Sequence, residues 1–133
     1  MVDKSKMMYY ICIVKKELYV LTKDEVEKYL SDLKQKIKTF NLVIMERKKN
    51  RVTLAELELV QSDCKDYIDL LTAENYSTGP TKDTENEGEF WEFGTMIKEK
   101  EIYIKINYGK TNKPALCISF HFAEFEIMYP FKK

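Results

Sequence analysis

Proton-transfer chemistry in this chain is concentrated in one stretch, residues 101–122. It holds the only histidine of the 133 residues, His121, together with Tyr103, Lys105 and Ser119. Ile102, Ile104, Ile106 and Tyr108 alternate with Tyr103, Lys105 and Asn107. After a polar turn, Leu116, Ile118, Phe120 and Phe122 alternate with Cys117, Ser119 and His121. A period of two puts each set on its own face of a strand pair. Matching the apolar faces sets Tyr103 opposite Ser119 or His121. A phenol, an ammonium and an imidazole then meet. Glu92, on the preceding strand, joins them if Ile97 is matched with Ile102. Such a set exchanges protons near neutral pH and neutralises charge on a phosphorane. A ribonucleotide carries its own nucleophile, the 2′-hydroxyl, so breaking its phosphodiester this way needs a base, an acid and a cation but no metal. Cys117, two residues from Ser119 on the polar face, offers a thiol as an alternative nucleophile. The ordinary role of a strand cysteine is that of a small buried hydrophobe.

Other chemistries find little support. No P-loop, GxGxxG, HExxH or GxSxG signature occurs. Cys12, Cys64 and Cys117 are odd in number and widely spaced, which fits neither a disulfide framework nor, with one histidine, a zinc site. No cofactor is expected, and a reducing cytoplasm is the expected location. The apolar run 7–14 is too short to span a membrane and lacks a signal-peptide cleavage site. The net charge is zero but unevenly placed. Residues 1–52 hold 13 basic and 7 acidic side chains, residues 53–101 hold 4 and 13, and residues 102–133 hold 5 and 2. A neutral total argues against a protein that coats nucleic acid nonspecifically, yet allows a local basic groove for a few phosphates.

The elements that must position these groups read as one domain, residues 1–133, with 44% hydrophobic content and only 4 Gly and 3 Pro. Residues 1–6 read as a loose end, and residues 7–14 and 18–21 as a short strand pair. Thr22 and Glu25 form a capping box opening a helix over residues 23–39, with an apolar stripe of Val26, Tyr29, Leu30, Leu33, Ile37 and Phe40. Its other side carries Lys23, Lys28, Lys34, Lys36 and Lys38, which either guide phosphates or simply face solvent. Residues 42–45 read as a strand and residues 48–51 as a turn. Thr53 starts a brief helix through Leu57, and Ser62 caps another that buries Cys64, Tyr67, Ile68 and Leu71. Residues 72–88 read as a long loop with turn chemistry at Gly79-Pro80. Residues 89–97 follow as a strand, and a turn at 98–100 leads into the hairpin. The tail, with Tyr129-Pro130-Phe131, is expected to fold back over the sheet. Helices first and an antiparallel meander last make an α+β plan, with N-terminal helices covering the apolar face of a C-terminal antiparallel sheet.

Four stretches of the chain resemble the MqsR family of toxins: residues 66–77 (DYIDLLTAENYS), 90–94 (FWEFG), 101–106 (EIYIKI) and 116–121 (LCISFH). The resemblance runs in order and spacing from Thr22 to Glu124 and is strongest after Asp66. It implies a RelE-like α+β fold, metal-independent cleavage of messenger RNA and a partner antitoxin that restrains it. Tyr103 falls on the family's active-site tyrosine and Lys105 on the lysine two positions later. His121 stands where the family's best-studied type has a lysine after Ser-Phe, and histidine is the better proton carrier near neutral pH. The family's helix lysine aligns near Ile68, leaving Lys65 as its replacement, and Glu92 takes the place of the family's glutamine. The resemblance thus implies His121, Lys105, Tyr103 and Glu92 as catalytic residues, with Lys65, Tyr76 and Ser119 as RNA contacts. The alternative is a non-catalytic module of the same fold that binds RNA or a protein, its working surfaces the acidic loop and the aromatic tail.

Overall fold

The computed structural model describes residues 9–14 and 17–133, with side chains from Leu21 onward. Residues 1–6, read as a loose end, lie outside the described residues. An antiparallel hairpin, β1 (Tyr9–Val14) and β2 (Glu17–Thr22), leads into helix α1 (Lys23–Phe40). Thr22 Oγ1 accepts from the Glu25 backbone N–H and the Glu25 carboxylate accepts from Thr22 N–H, each at 3.2 Å, so the capping box forms as expected. Then follow β3 (Leu42–Ile44), α2 (Lys48–Leu57), α3 (Gln61–Asp69), a 3-10 turn (Ala73–Asn75), β4 (Tyr76–Lys82), β5 (Glu89–Ile97), β6 (Lys100–Asn107) and β7 (Ala115–Phe122). Strands β3 to β7 form one sheet in the order β3-β7-β6-β5-β4, antiparallel except for the parallel pair β3 and β7.

This is an α+β fold whose sheet is larger than the expected three-stranded meander. Two strands account for the difference: β3, which joins the sheet parallel to β7, and β4. The segment read as a long loop contains β4, the last strand in the order of this sheet, where proline is placed so that its missing N–H breaks no regular stretch of the ladder. Gly79-Pro80 is cis, and the pairing with β5 shifts register once before it and once across it. The true loop shrinks to residues 83–88. The run 48–51 is the first turn of α2, not a turn between elements. In α3, Asp63 rather than Ser62 closes the first turn, its carboxylate accepting from Val60 N–H at 2.8 Å.

One face of the sheet is the core. Ile102, Ile104, Ile106, Phe93, Phe120, Leu30, Leu33 and Ile68 are all buried there, and Tyr29 of α1 stacks on Trp91 at 4.0 Å. The lysines of α1 do not form one solvated stripe. Lys36 is buried and donates to the carbonyls of Tyr108 and Lys110 at 2.5 and 2.6 Å, and Lys34 donates to Leu71 O at 2.7 Å. Those two ammonium groups tie the helix to neighbouring loops, which removes them from any phosphate path.

The other sheet face is left to the site. Alongside it, beyond the residues of β7 paired with β3, α2 takes the place of a strand on the outer edge of β7. The buried Asn50 donates to Ile118 O at 3.1 Å and accepts from Phe120 N at 2.9 Å, and Thr53 Oγ1 accepts from Phe122 N at 3.1 Å. A side-chain amide here does what a neighbouring strand's peptide group does elsewhere.

Candidate active site

Strands β6 and β7 pair Tyr103 with His121 and Lys105 with Ser119. The ladder then slips at Ile118, so that Ile106 pairs with Cys117. This one-residue bulge reverses the faces of the residues before it. Cys117, expected on the polar face, is fully buried in the core, where its thiol donates to Ser119 O at 3.3 Å. Burial pushes that thiol well above its ordinary pKa, and the buried Cys64 is pushed up to about 12, so neither is a nucleophile. Ile118 is turned instead to the open face, where it lines a cavity.

The bulge also brings in a residue that the sequence pattern missed. Arg47, immediately before α2, donates from Nη1 to Ile118 O and to Ser119 Oγ, each at 3.3 Å. It sits in the polar run ERKKNR, which carries no periodic signal. The cue that finds it is structural: the extra strand residue presents a carbonyl that holds the guanidinium over the sheet.

Together these residues line a cavity of about 150 Å³ whose walls include Arg47, Tyr103, Lys105, Ser119 and His121, with Phe125 and Ile127 of the tail. Three cations, Arg47, Lys49 and Lys105, face into it against one carboxylate, Glu124, which is already bound to Lys49 at 2.8 Å. That hydrogen bond, with the lysine's charge, holds the Glu124 carboxyl below its usual pKa.

His121 is 7% exposed, its ring 5.4 Å from that of Tyr103. Its Nδ1 lies 2.9 Å from Phe122 O. A carbonyl only accepts, so Nδ1 carries the proton, and in the neutral ring Nε2 keeps a free lone pair. A second cavity, about 420 Å³, is also lined by His121, with Lys48, Lys49 and Val52 of α2.

Glu92 reaches the site by a different register from the one expected. Lys98 and Glu99 take positive φ, 50° and 68°, making a two-residue turn that pairs Ile97 with Lys100 rather than Ile102. The shift is two residues, so the face is kept and Glu92 lies opposite Lys105. One carboxylate oxygen of Glu92 accepts from the Tyr103 hydroxyl and the other from Thr78 Oγ1 at 2.5 Å. Burial first, and the adjoining carboxylate second, push the Tyr103 phenol well above its ordinary pKa, so it stays protonated. Glu92 does not line the cavity and acts on it through Tyr103. Lys105 holds its ammonium 4.4 Å above the Phe90 ring.

Two expected RNA contacts lie elsewhere. Tyr76 is fully buried, its hydroxyl donating to Gly79 O at 2.5 Å and its ring packed against Trp91, Phe93 and Phe131, so it presents no surface to a ligand. Lys65 is carried by α3, whose Cys64 and Ile68 belong to the core face, and it lines none of these cavities. Ser119 is at the site but buried, reached through Arg47. Among the described residues no group of His, Cys, Asp and Glu is arranged to hold a metal ion, and no helix is long and apolar enough to cross a membrane. No protein-family model, curated protein or solved structure matches the chain.

Proposed function

We propose that the protein is a metal-independent endoribonuclease of the MqsR kind, a toxin that cleaves messenger RNA and is restrained by a partner antitoxin. The observation that carries this reading is the convergence of Arg47, Lys105, Tyr103 and His121 on one small cleft. His121 Nε2 takes the proton of the 2′-hydroxyl as that oxygen attacks phosphorus. Arg47 and Lys105 offset the charge on the phosphorane. The P–O5′ bond breaks, the Lys105 ammonium gives the 5′-oxygen its proton, and a 2′,3′-cyclic phosphate remains. Tyr103, held by Glu92, sets the position of the attacking ribose. Purified protein incubated with RNA of varied sequence in EDTA should yield 2′,3′-cyclic phosphate ends, and His121→Ala should lower the rate by about 10²-fold or more. If wild type and His121→Ala are equally inert across many sequences, the nuclease reading fails.

A second reading draws on one observation, the burial of His121 to 7% exposure beside tail residues that line the same cleft. A module that binds RNA without cutting it would use the same cations and leave the imidazole as a packing group. Binding of RNA without release of cyclic phosphate would select it.

A further inference from the structure

Two cavities meet on the open face of the sheet, and they share Arg47 and Lys105. The first is the cleft at His121. At its lip stands Phe125, 75% exposed, two residues from Ile127, which is buried and anchors that part of the tail. An isolated exposed aromatic is unremarkable; this one shares a wall with three cations. The second cavity, about 370 Å³, lies between Phe90, Ile118 and the loop 83–88. That size is within the range of pockets that hold small organic ligands. Its loop wall is preformed. The Asp83 carboxylate accepts from Glu85 N at 2.9 Å, Asn86 N at 3.0 Å and the Asn107 side chain at 3.0 Å, and Asn107 is itself fully buried.

We infer that the cleft takes a single strand in extended form, with a nucleobase on each side of one phosphate. The phosphate lies at the shared pair Arg47 and Lys105. One base packs on Phe125, and its neighbour enters the pocket between Phe90 and the loop 83–88. The identity of the ligand rests on the ribonuclease reading. The placement of the bases rests on the two cavities and their shared cations. Phe125 and Glu124 also line a larger cavity of about 560 Å³, whose Glu56, Glu101, Glu124 and Glu126 face a single Lys100. Phe125 thus stands at the border between carboxylates and cations, and the charge turns a phosphate chain back toward the cleft. Paired bases cannot splay to either side of a phosphate, so a duplex is excluded.

The test uses a fluorescein-labelled pool of random-sequence 2′-deoxy 12-mers, which lack the nucleophile and cannot be cut, read by anisotropy as single strands and as duplexes. Single strands should bind at least about tenfold more tightly than duplexes. Phe125→Ser and Phe90→Leu should each weaken binding by about tenfold, the order of loss when a stacking aromatic is removed from a single-strand site. Phe125 is exposed, so its substitution leaves the fold intact even if Phe90→Leu does not. Equal affinity for duplex, wild-type affinity in Phe125→Ser, or no binding by any oligonucleotide overturns the inference. Cleavage of RNA with unchanged affinity in Phe125→Ser would leave the nuclease reading standing without these base sites. Strand binding that depends on the two aromatics, without cleavage, would leave the base sites standing without the nuclease.

Discussion

At the scale of single residues, Tyr103 is where two roles can be separated. A ring that only stacks on RNA would work as well as phenylalanine. Here the hydroxyl is bound to Glu92, and its proton is kept in place by burial. Tyr103→Phe is therefore expected to cut the single-turnover cleavage rate by about 10²-fold, the scale of a lost acid–base or positioning contact. Glu92→Gln keeps an oxygen for the Tyr103 hydroxyl and should stay within about tenfold of wild type if Glu92 acts by positioning alone. Cleavage by Tyr103→Phe at the wild-type rate would return Tyr103 to a stacking role. These residues were largely legible in advance. Alternation with period two placed Tyr103, Lys105, Ser119 and His121 on one face, and a register shift of two left Glu92 on it. Cys117 and Ile118 were misplaced because a one-residue bulge carries no mark in a hydrophobic pattern.

At the scale of elements, α2 shows why part of the site could not be read. Asn50, Thr53, Leu54 and Leu57 recur at helical spacing, but two of those inward positions are polar, so the stripe does not stand out. They are polar because β7 has backbone groups on that edge that need partners. The Ile118 carbonyl, held by both Asn50 and Arg47, links the helix to the face that carries the candidate site. Asn50→Leu strips the partner from Phe120 N–H, a donor from Met45 O and one of two donors from Ile118 O. It should lower stability by about 3 kcal/mol, since each buried unsatisfied group costs roughly 1–3 kcal/mol. Thr53→Val, which removes one acceptor while keeping shape, should cost about 1–2 kcal/mol. Urea unfolding of the two variants measures both. A loss below about 0.5 kcal/mol in Asn50→Leu would mean that β7 finds other partners and that α2 does not hold the site.

At the scale of the whole molecule, charge and chain path converge on the same place. The neutral total conceals a basic cleft on one side of the tail and a carboxylate-lined cavity on the other. The tail divides them. It crosses the sheet at Gly94, which pairs with Tyr103 on β6 and has no room for a side chain, because an added Cβ would run into the Tyr129 hydroxyl and the tip of Ile127. Tyr129 is in turn tied to Glu101 at 2.7 Å, and Ile127 walls the cleft. The aromatic tail was expected to fold back, but nothing in the sequence tied Gly94 to it, since close approach between segments 35 residues apart leaves no local pattern. Gly94→Ala should therefore destabilise the fold by about 1–3 kcal/mol, as overpacking does. It should also displace Ile127 from the cleft and lower cleavage. Tyr129→Phe alone loses the bond to Glu101, yet in the Gly94→Ala background it removes the atom nearest the new methyl. The double variant should be more stable than the sum of the two single losses by about 1 kcal/mol, a coupling expected of residues in contact. Strict additivity in thermal or urea unfolding would mean that the tail does not rest on Gly94 in solution, and the wall of the cleft would have to be sought elsewhere.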